Sequence, residues 1–194
     1  MKKIILASKS PYRKALLERL GVQFQCFDPK YDESEFKEKL NNPKELAEIL
    51  AKGKALNIYQ EIQDAVIIGS DQVCYFDGNI LGKSGDIDKS VTQLLNMQGK
   101  THFLYTSYFL KYGDQEITRT NITELKMRKL SESQIRNYVV RDNATDCAGS
   151  YKLELGGISL MESIKTEDHT AIIGLPLIQL GTDLLSLGVQ LPPE

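Results

Sequence analysis

The sequence is poor in the residues that build metal and redox centres. Its three cysteines, Cys26, Cys74 and Cys147, are odd in number, widely spaced and free of any C-x-x-C pair. Neither a disulfide framework nor a cysteine zinc site is supported, and they read as reduced packing residues. The two histidines, His102 and His169, are far apart and form no H-E-x-x-H pair, which leaves a zinc site or a histidine triad without its parts. No apolar run approaches the roughly 20 residues that cross a bilayer. Met1-Lys2-Lys3 leads at once into a strand pattern rather than a signal-peptide pattern, so a cytoplasmic protein without membrane contact is expected. A net charge of -2 gives no reason to expect nucleic-acid binding. Repeats, low-complexity tracts and linkers are also missing. With 41% hydrophobic residues the chain can fill one core, and a single α/β domain over residues 1–194 is expected, with two inseparable lobes around a cleft.

What is present concentrates first in Leu6 to Gly21, LASKSPYRKALLERLG. Ser8 or Ser10 can cap a helix, Pro11 suits its first position, Leu16, Leu17 and Leu20 form an apolar stripe, and Gly21 stops it. A strand over Ile4 to Leu6 thus runs straight into a helix. Lys9, Arg13 and Lys14 crowd the positive end of that helix, where acids are normally preferred, so an anion is expected there. Free backbone N–H groups, the hydroxyls of Ser8 and Ser10, and these cations make a phosphate site.

Val22 to Phe27 reads as a second strand, followed by acids at Asp28, Asp32, Glu33, Glu35 and Glu38 that either face solvent or hold a metal. Asn42-Pro43 opens a helix carrying Lys52 and Lys54. Ala65 to Gly69 is a buried strand ending on Ser70-Asp71-Gln72, with Val73 to Phe76 extended beyond. An acid set in apolar strand must meet a cation, a metal or several donors, which makes Asp71 the strongest catalytic candidate. GNILGKS has the wrong glycine spacing for a P-loop, but Lys83 can still bring one charge to a phosphate. A helix is expected from Asp86 to Gly99. His102 to Leu110 and Glu116 to Leu130 read as antiparallel partners. Ser131 to Gln134 is a capping box, and Pro176 starts a final helix ending before Gly188. Cys147 to Leu160 mixes strand pattern with small residues. Together, Arg13, Lys54 and Lys83 for phosphates with Glu33 and Asp71 for a divalent ion or a water make a kit for phosphoanhydride hydrolysis.

Eight blocks, LASKSPYRKALL, DES at 32–34, GKAL at 53–56, IIGSDQV at 67–73, ILGKS at 80–84, LSE at 130–132, CAGSYKLE at 147–154 and GLPL at 174–177, resemble the Maf family of nucleoside triphosphate pyrophosphatases. The resemblance implies an α/β fold with a mixed twisted sheet, flanking helices and a cleft, related to inosine triphosphatases. It implies cleavage of a nucleoside triphosphate between the α and β phosphates, and a divalent metal, Mg2+ or Mn2+. By position it assigns phosphate binding to Ser8 and Arg13, an acidic metal-site role to Glu33, phosphate contacts to Lys54 and Lys83, and general base to Asp71, which shares the metal. Ser10 joins the phosphate-binding group.

Tyr12, Gln72 and Glu154 depart from the arginine, threonine and glutamine of many members and are similar to the branch that hydrolyses 7-methyl-GTP. The physics fits, because 7-methylguanine is cationic: an aromatic face at Tyr12 can stack on it, and Glu154 can accept from N1 and N2. Gly53 also departs, standing where a larger residue often precedes the lysine. The alternatives are a dTTP/UTP pyrophosphatase of the same family and a nucleotide-binding regulator of septum formation. A homodimer is left open.

Overall fold

The computed structural model describes residues 2–192. In chain order its strands are β1 (Lys3–Ala7), β2 (Gln25–Phe27), β3 (Ala65–Phe76), β4 (Asn79–Leu81), β5 (Thr101–Tyr112), β6 (Gln115–Met127) and β7 (Met161–Lys165). The α-helices are α1 (Pro11–Glu18), α2 (Ser34–Lys39), α3 (Pro43–Tyr59), α4 (Ile87–Met97), α5 (Glu132–Asp142) and α6 (Leu177–Ser186). Two compact units divide the chain, one made of residues 1–72, 106–121 and 168–194, the other of residues 73–105 and 122–167. The long strands β3, β5 and β6 each contribute to both, so no single linker separates the units in sequence.

In the first unit the strand order is β2-β1-β3-β5-β6, with β1 parallel to both neighbours. Alternate residues of β1 feed opposite cores. Ile4 and Leu6 pack with Leu16 and Leu17 of α1 and Leu180 and Leu184 of α6. Ile5 and Ala7 pack with Ala51, Ala55 and Ile58 of α3. Burial on both faces is why β1 and the start of β3 read as continuous apolar runs rather than alternating ones. Ser10 caps α1 by accepting from the Arg13 N–H at 3.3 Å, and Asn42 caps α3 by accepting from Lys44 and Glu45, each helix opening on the expected proline.

In the second unit β3 turns into antiparallel β4 through Asp77-Gly78, both at positive φ, the backbone a two-residue hairpin requires. β7 pairs antiparallel with β6. Beside them α4 buries Val91, Leu94 and Met97, and α5 buries Ile135, Tyr138 and Val139. The Ser131–Gln134 capping box is formed.

Several expectations change. The acidic stretch after Asp28 contains α2, whose short sequence carries too little apolar pattern to announce a helix. Only residues 25–27 of the segment 22–27 are strand. Residues 147–160 are turns and a 3-10 helix rather than strand, touching the Lys83 segment through one isolated bridge with Ala148. Cys26 is exposed and so is not a packing residue, whereas Cys74 is buried. Among the described residues no helix is long and apolar enough to cross a membrane.

Candidate active site

Close packing of α3 on β3 builds the centre of the first unit. A Cβ at Gly69 would lie 2.1 Å from the Ala51 carbonyl oxygen and 2.8 Å from the Ala55 nitrogen, so only glycine lets the helix backbone rest on the strand there. Lys54 follows Ala51 on the buried side of α3. Asp71 lies two residues beyond Gly69 and therefore on the same face of β3. The Lys54 ammonium meets Asp71 Oδ1 at 2.5 Å and Glu33 Oε1 at 2.7 Å. Lys54 and Asp71 are both buried, each with 9% of its surface exposed, so the charges compensate one another where water cannot.

Glu33 arrives from the start of α2 and also receives Lys37. Burial pushes its carboxyl up, but hydrogen bonds from Lys37 and Lys54 outweigh that and hold it down at about 2. Lys54 thus joins the two acids instead of standing clear for a phosphate. That pairing is a property of the fold that spacing alone did not reveal.

The start of α1 supplies Arg13. Its Nε donates to the Gly174 carbonyl at 3.0 Å, and the Ser70 hydroxyl donates to the same oxygen at 2.8 Å. Burial lowers the Arg13 pKa while the carboxylates of Asp71 and Glu33 oppose that shift, so the guanidinium stays charged and lies in the field of both acids. Held through Nε, Arg13 keeps its terminal nitrogens for an anion. Ser8 accepts from the Ser10 N–H at 3.1 Å, so both seryl oxygens act as local caps whose O–H hydrogens can still donate. Lys9 and Lys14 are exposed and turn to Asp28 and Glu18, which narrows the expected cationic group to Arg13. Tyr12 is partly exposed on the first turn. Gln72 uses its amide nitrogen on Thr106, Ala171 and Ile172, each at 2.9 Å, leaving its carbonyl oxygen as the end that can meet a ligand.

In the second unit the fold brings together segments about 60 residues apart in sequence. Lys83, exposed at its side chain, bridges Ala148 through its backbone, and Gly85 N–H donates to Thr145 O at 3.0 Å. The 147–154 segment carries half-buried Glu154, whose carboxyl is pushed up chiefly by burial. Beside it Lys152 is buried and reaches Asp146 at 2.9 Å.

Sequence reasoning missed Ser70, Gly174, Lys37 and Lys152. Gly174 stands in the GLPL block, two residues ahead of Pro176, and its φ of +118° is one that glycine adopts without strain. Ser70 and Lys152 lie within the IIGSDQV and CAGSYKLE blocks, and Lys37 carries no signal apart from the fold.

For a cation, the notable feature is that Glu33 and Asp71 converge on one point, now held by an ammonium. Two carboxylates suit a hard divalent ion that fills its remaining positions with phosphate oxygens and water, and among the described residues no cluster of three or more acids, histidines or cysteines offers a full cage.

A family model described as Maf-like protein matches residues 3–187. The chain is 46% identical to a 7-methyl-GTP pyrophosphatase of Bdellovibrio bacteriovorus, covering 93% of this chain and 94% of that one. It is 42% identical to the protein of that name in Syntrophotalea carbinolica (98% and 97% covered) and 40% identical to that of Xanthomonas axonopodis pv. citri (99% and 100% covered). Among solved structures it is similar to a HAM1 protein from Coxiella burnetii, with a TM-score of 0.51 at 14% identity over 96% of this chain and 100% of that one, a likeness of fold.

Proposed function

The chain belongs to the Maf-like protein family, and from that membership and the Lys54-centred cluster we propose that it is a nucleotide pyrophosphatase hydrolysing 7-methyl-GTP to 7-methyl-GMP and pyrophosphate. The observation that carries the chemistry is the convergence of Lys54 with Glu33 and Asp71 in the field of Arg13. In the proposed mechanism Asp71 Oδ1 stays on Lys54 while Oδ2 takes a proton from the attacking water. The water adds in line at the α-phosphorus, the bond to the bridging oxygen breaks, and pyrophosphate leaves. Arg13, with the hydroxyls of Ser8 and Ser10 and the N–H groups at the start of α1, orients the phosphates. For Lys83 a phosphate contact is proposed from the sequence and its resemblance alone.

Lys54 and Lys37 are taken up by the two carboxylates, so a further cation would ease the approach of a triphosphate. Glu33 and Asp71 would hold a divalent ion, Mg2+ or Mn2+, whose contribution is to neutralise phosphate charge. On the base side, desolvated Glu154 gains by meeting cationic 7-methylguanine, since burial disfavours its charge until a cation compensates it. Tyr12 supplies the stacking face, and a cytoplasmic setting is consistent with a nucleotide substrate.

The test is pyrophosphate release from a panel of 7-methyl-GTP, GTP, dTTP and UTP, with and without chelator. We expect 7-methyl-GTP to turn over best and chelator to stop it. Preference for dTTP and UTP would transfer the chain to the other branch and remove the base roles of Glu154 and Tyr12. Full turnover in chelator would remove the ion.

A further inference from the structure

Gly53 sits inside α3 at an ordinary helical φ, where glycine costs about 1 kcal/mol relative to alanine. Its backbone needs no glycine; what occupies the place of a Cβ is the end of a tyrosine side chain. A Cβ there would lie 2.1 Å from Cζ, 2.4 Å from Oη and 2.5 Å from Cε1 of Tyr31, so the tyrosine ring fills the space a side chain would take. Tyr31 belongs to the segment that delivers Glu33. Its ring also stacks on Phe36 of α2, with centroids 6.0 Å apart and planes 20° apart. Asn57, one turn beyond Gly53 on α3, donates its side-chain amide to the Pro29 carbonyl. Asp32 accepts the Ser34 N–H at 3.0 Å, beside the first residue of α2. The residue after Gly53 is Lys54, and the residue two beyond Tyr31 is Glu33, the pair that meets at 2.7 Å.

We propose that Tyr31, seated in the notch left by Gly53, is a positioning residue that fixes segment 28–33 on α3 and thereby aims Glu33 at Lys54. The inference relies on the hydrolytic reading only where turnover is its readout. Filling the notch displaces the ring and moves Glu33 off the ammonium, although alanine is the better helix former. Loss of activity without loss of stability is therefore the signature that separates positioning from packing.

The experiment compares the wild type with Gly53→Ala, Tyr31→Ala, Tyr31→Phe, Glu33→Gln and Glu33→Gln/Gly53→Ala. Each is measured for kcat and KM on 7-methyl-GTP, for thermal midpoint, and for the rate of Lys54 acylation followed by mass spectrometry. Gly53→Ala should keep or raise the midpoint, lower kcat by about tenfold or more with KM within about twofold, and label Lys54 at least about threefold faster. Tyr31→Ala should label like it, Tyr31→Phe should retain most of the turnover, and adding Gly53→Ala to Glu33→Gln should cost little further. Wild-type kcat and labelling in Gly53→Ala, or a loss that adds in full to that of Glu33→Gln, would overturn the proposal. Should the wild type hydrolyse no triphosphate, the functional reading falls, while Lys54 labelling still decides whether Tyr31 positions Glu33. If Gly53→Ala does not fold, Tyr31→Ala against Tyr31→Phe decides it.

Discussion

Asp71 owes its position to desolvation. A carboxylate 9% exposed inside β3 is stable because Lys54 donates to it, and its remaining oxygen can act on a water. Asp71→Asn keeps the shape and removes the base, so turnover should fall at least about a hundredfold while nucleotide binding, measured by calorimetry, changes little. Near-normal turnover would remove Asp71 from that role. Glu33 makes a claim about pH. Its folded carboxyl lies at about 2 against an ordinary 4.5, so its stabilising contribution is complete above pH 4.5 and disappears as pH falls through 2. The stability difference between wild type and Glu33→Gln in urea titrations should accordingly shrink over that window. Asp71 was legible because an acid in an apolar run demands an explanation, whereas Glu33 stood among five acids as a candidate for an ion or a water, and only the resemblance gave it a metal-site role.

At the scale of elements, α3 against β3 decides whether the cluster exists. Gly69→Ala places a methyl 2.1 Å from a backbone oxygen that cannot swing aside, and should lower the urea midpoint by the equivalent of about 1–3 kcal/mol and reduce turnover with it. Asn42→Ala removes only the cap of α3, and should cost about 1 kcal/mol while leaving kcat close to wild type. A large kcat loss there would mean that the helix start is coupled to the site. The N-terminal prolines of α1 and α3 and the capping box of α5 were readable because they are local chemistry. The 147–160 segment was misread as strand because its alternating pattern is fixed by contacts with residues distant in sequence, such as Asp142 accepting from Gly156 at 2.7 Å and the Tyr138 hydroxyl accepting from the Lys152 N–H at 2.9 Å.

For the molecule as a whole, the two units carry separate acid-sensitive groups. His102, buried in the second, has Nε2 against the Tyr151 hydroxyl at 2.8 Å and no partner for Nδ1. Burial lowers its pKa from 6.5 to about 4. The unfolded chain therefore binds the proton more readily, and the contribution of neutral His102 is full above pH 6.5 and lost as pH falls to 4. Glu33 in the first unit gives way only between pH 4.5 and 2. Amide exchange during acid titration should thus loosen residues around His102 before those around Lys54, and His102→Phe should flatten the earlier phase. Loosening in the reverse order would contradict both assignments.

The amino-acid order by itself determined the starts of α1, α3 and α5, the buried strand from Ala65 to Gly69 and the family, because these depend on neighbours within a few residues or on residue identity at fixed spacing. Folding decided which charges meet. Lys54 closes on Glu33 and Asp71, Arg13 is held by a carbonyl 161 residues away, and Lys9 and Lys14 turn elsewhere. The reason is physical: a charge's partner is set by distance and dielectric after burial, and neither quantity is written in the linear chain.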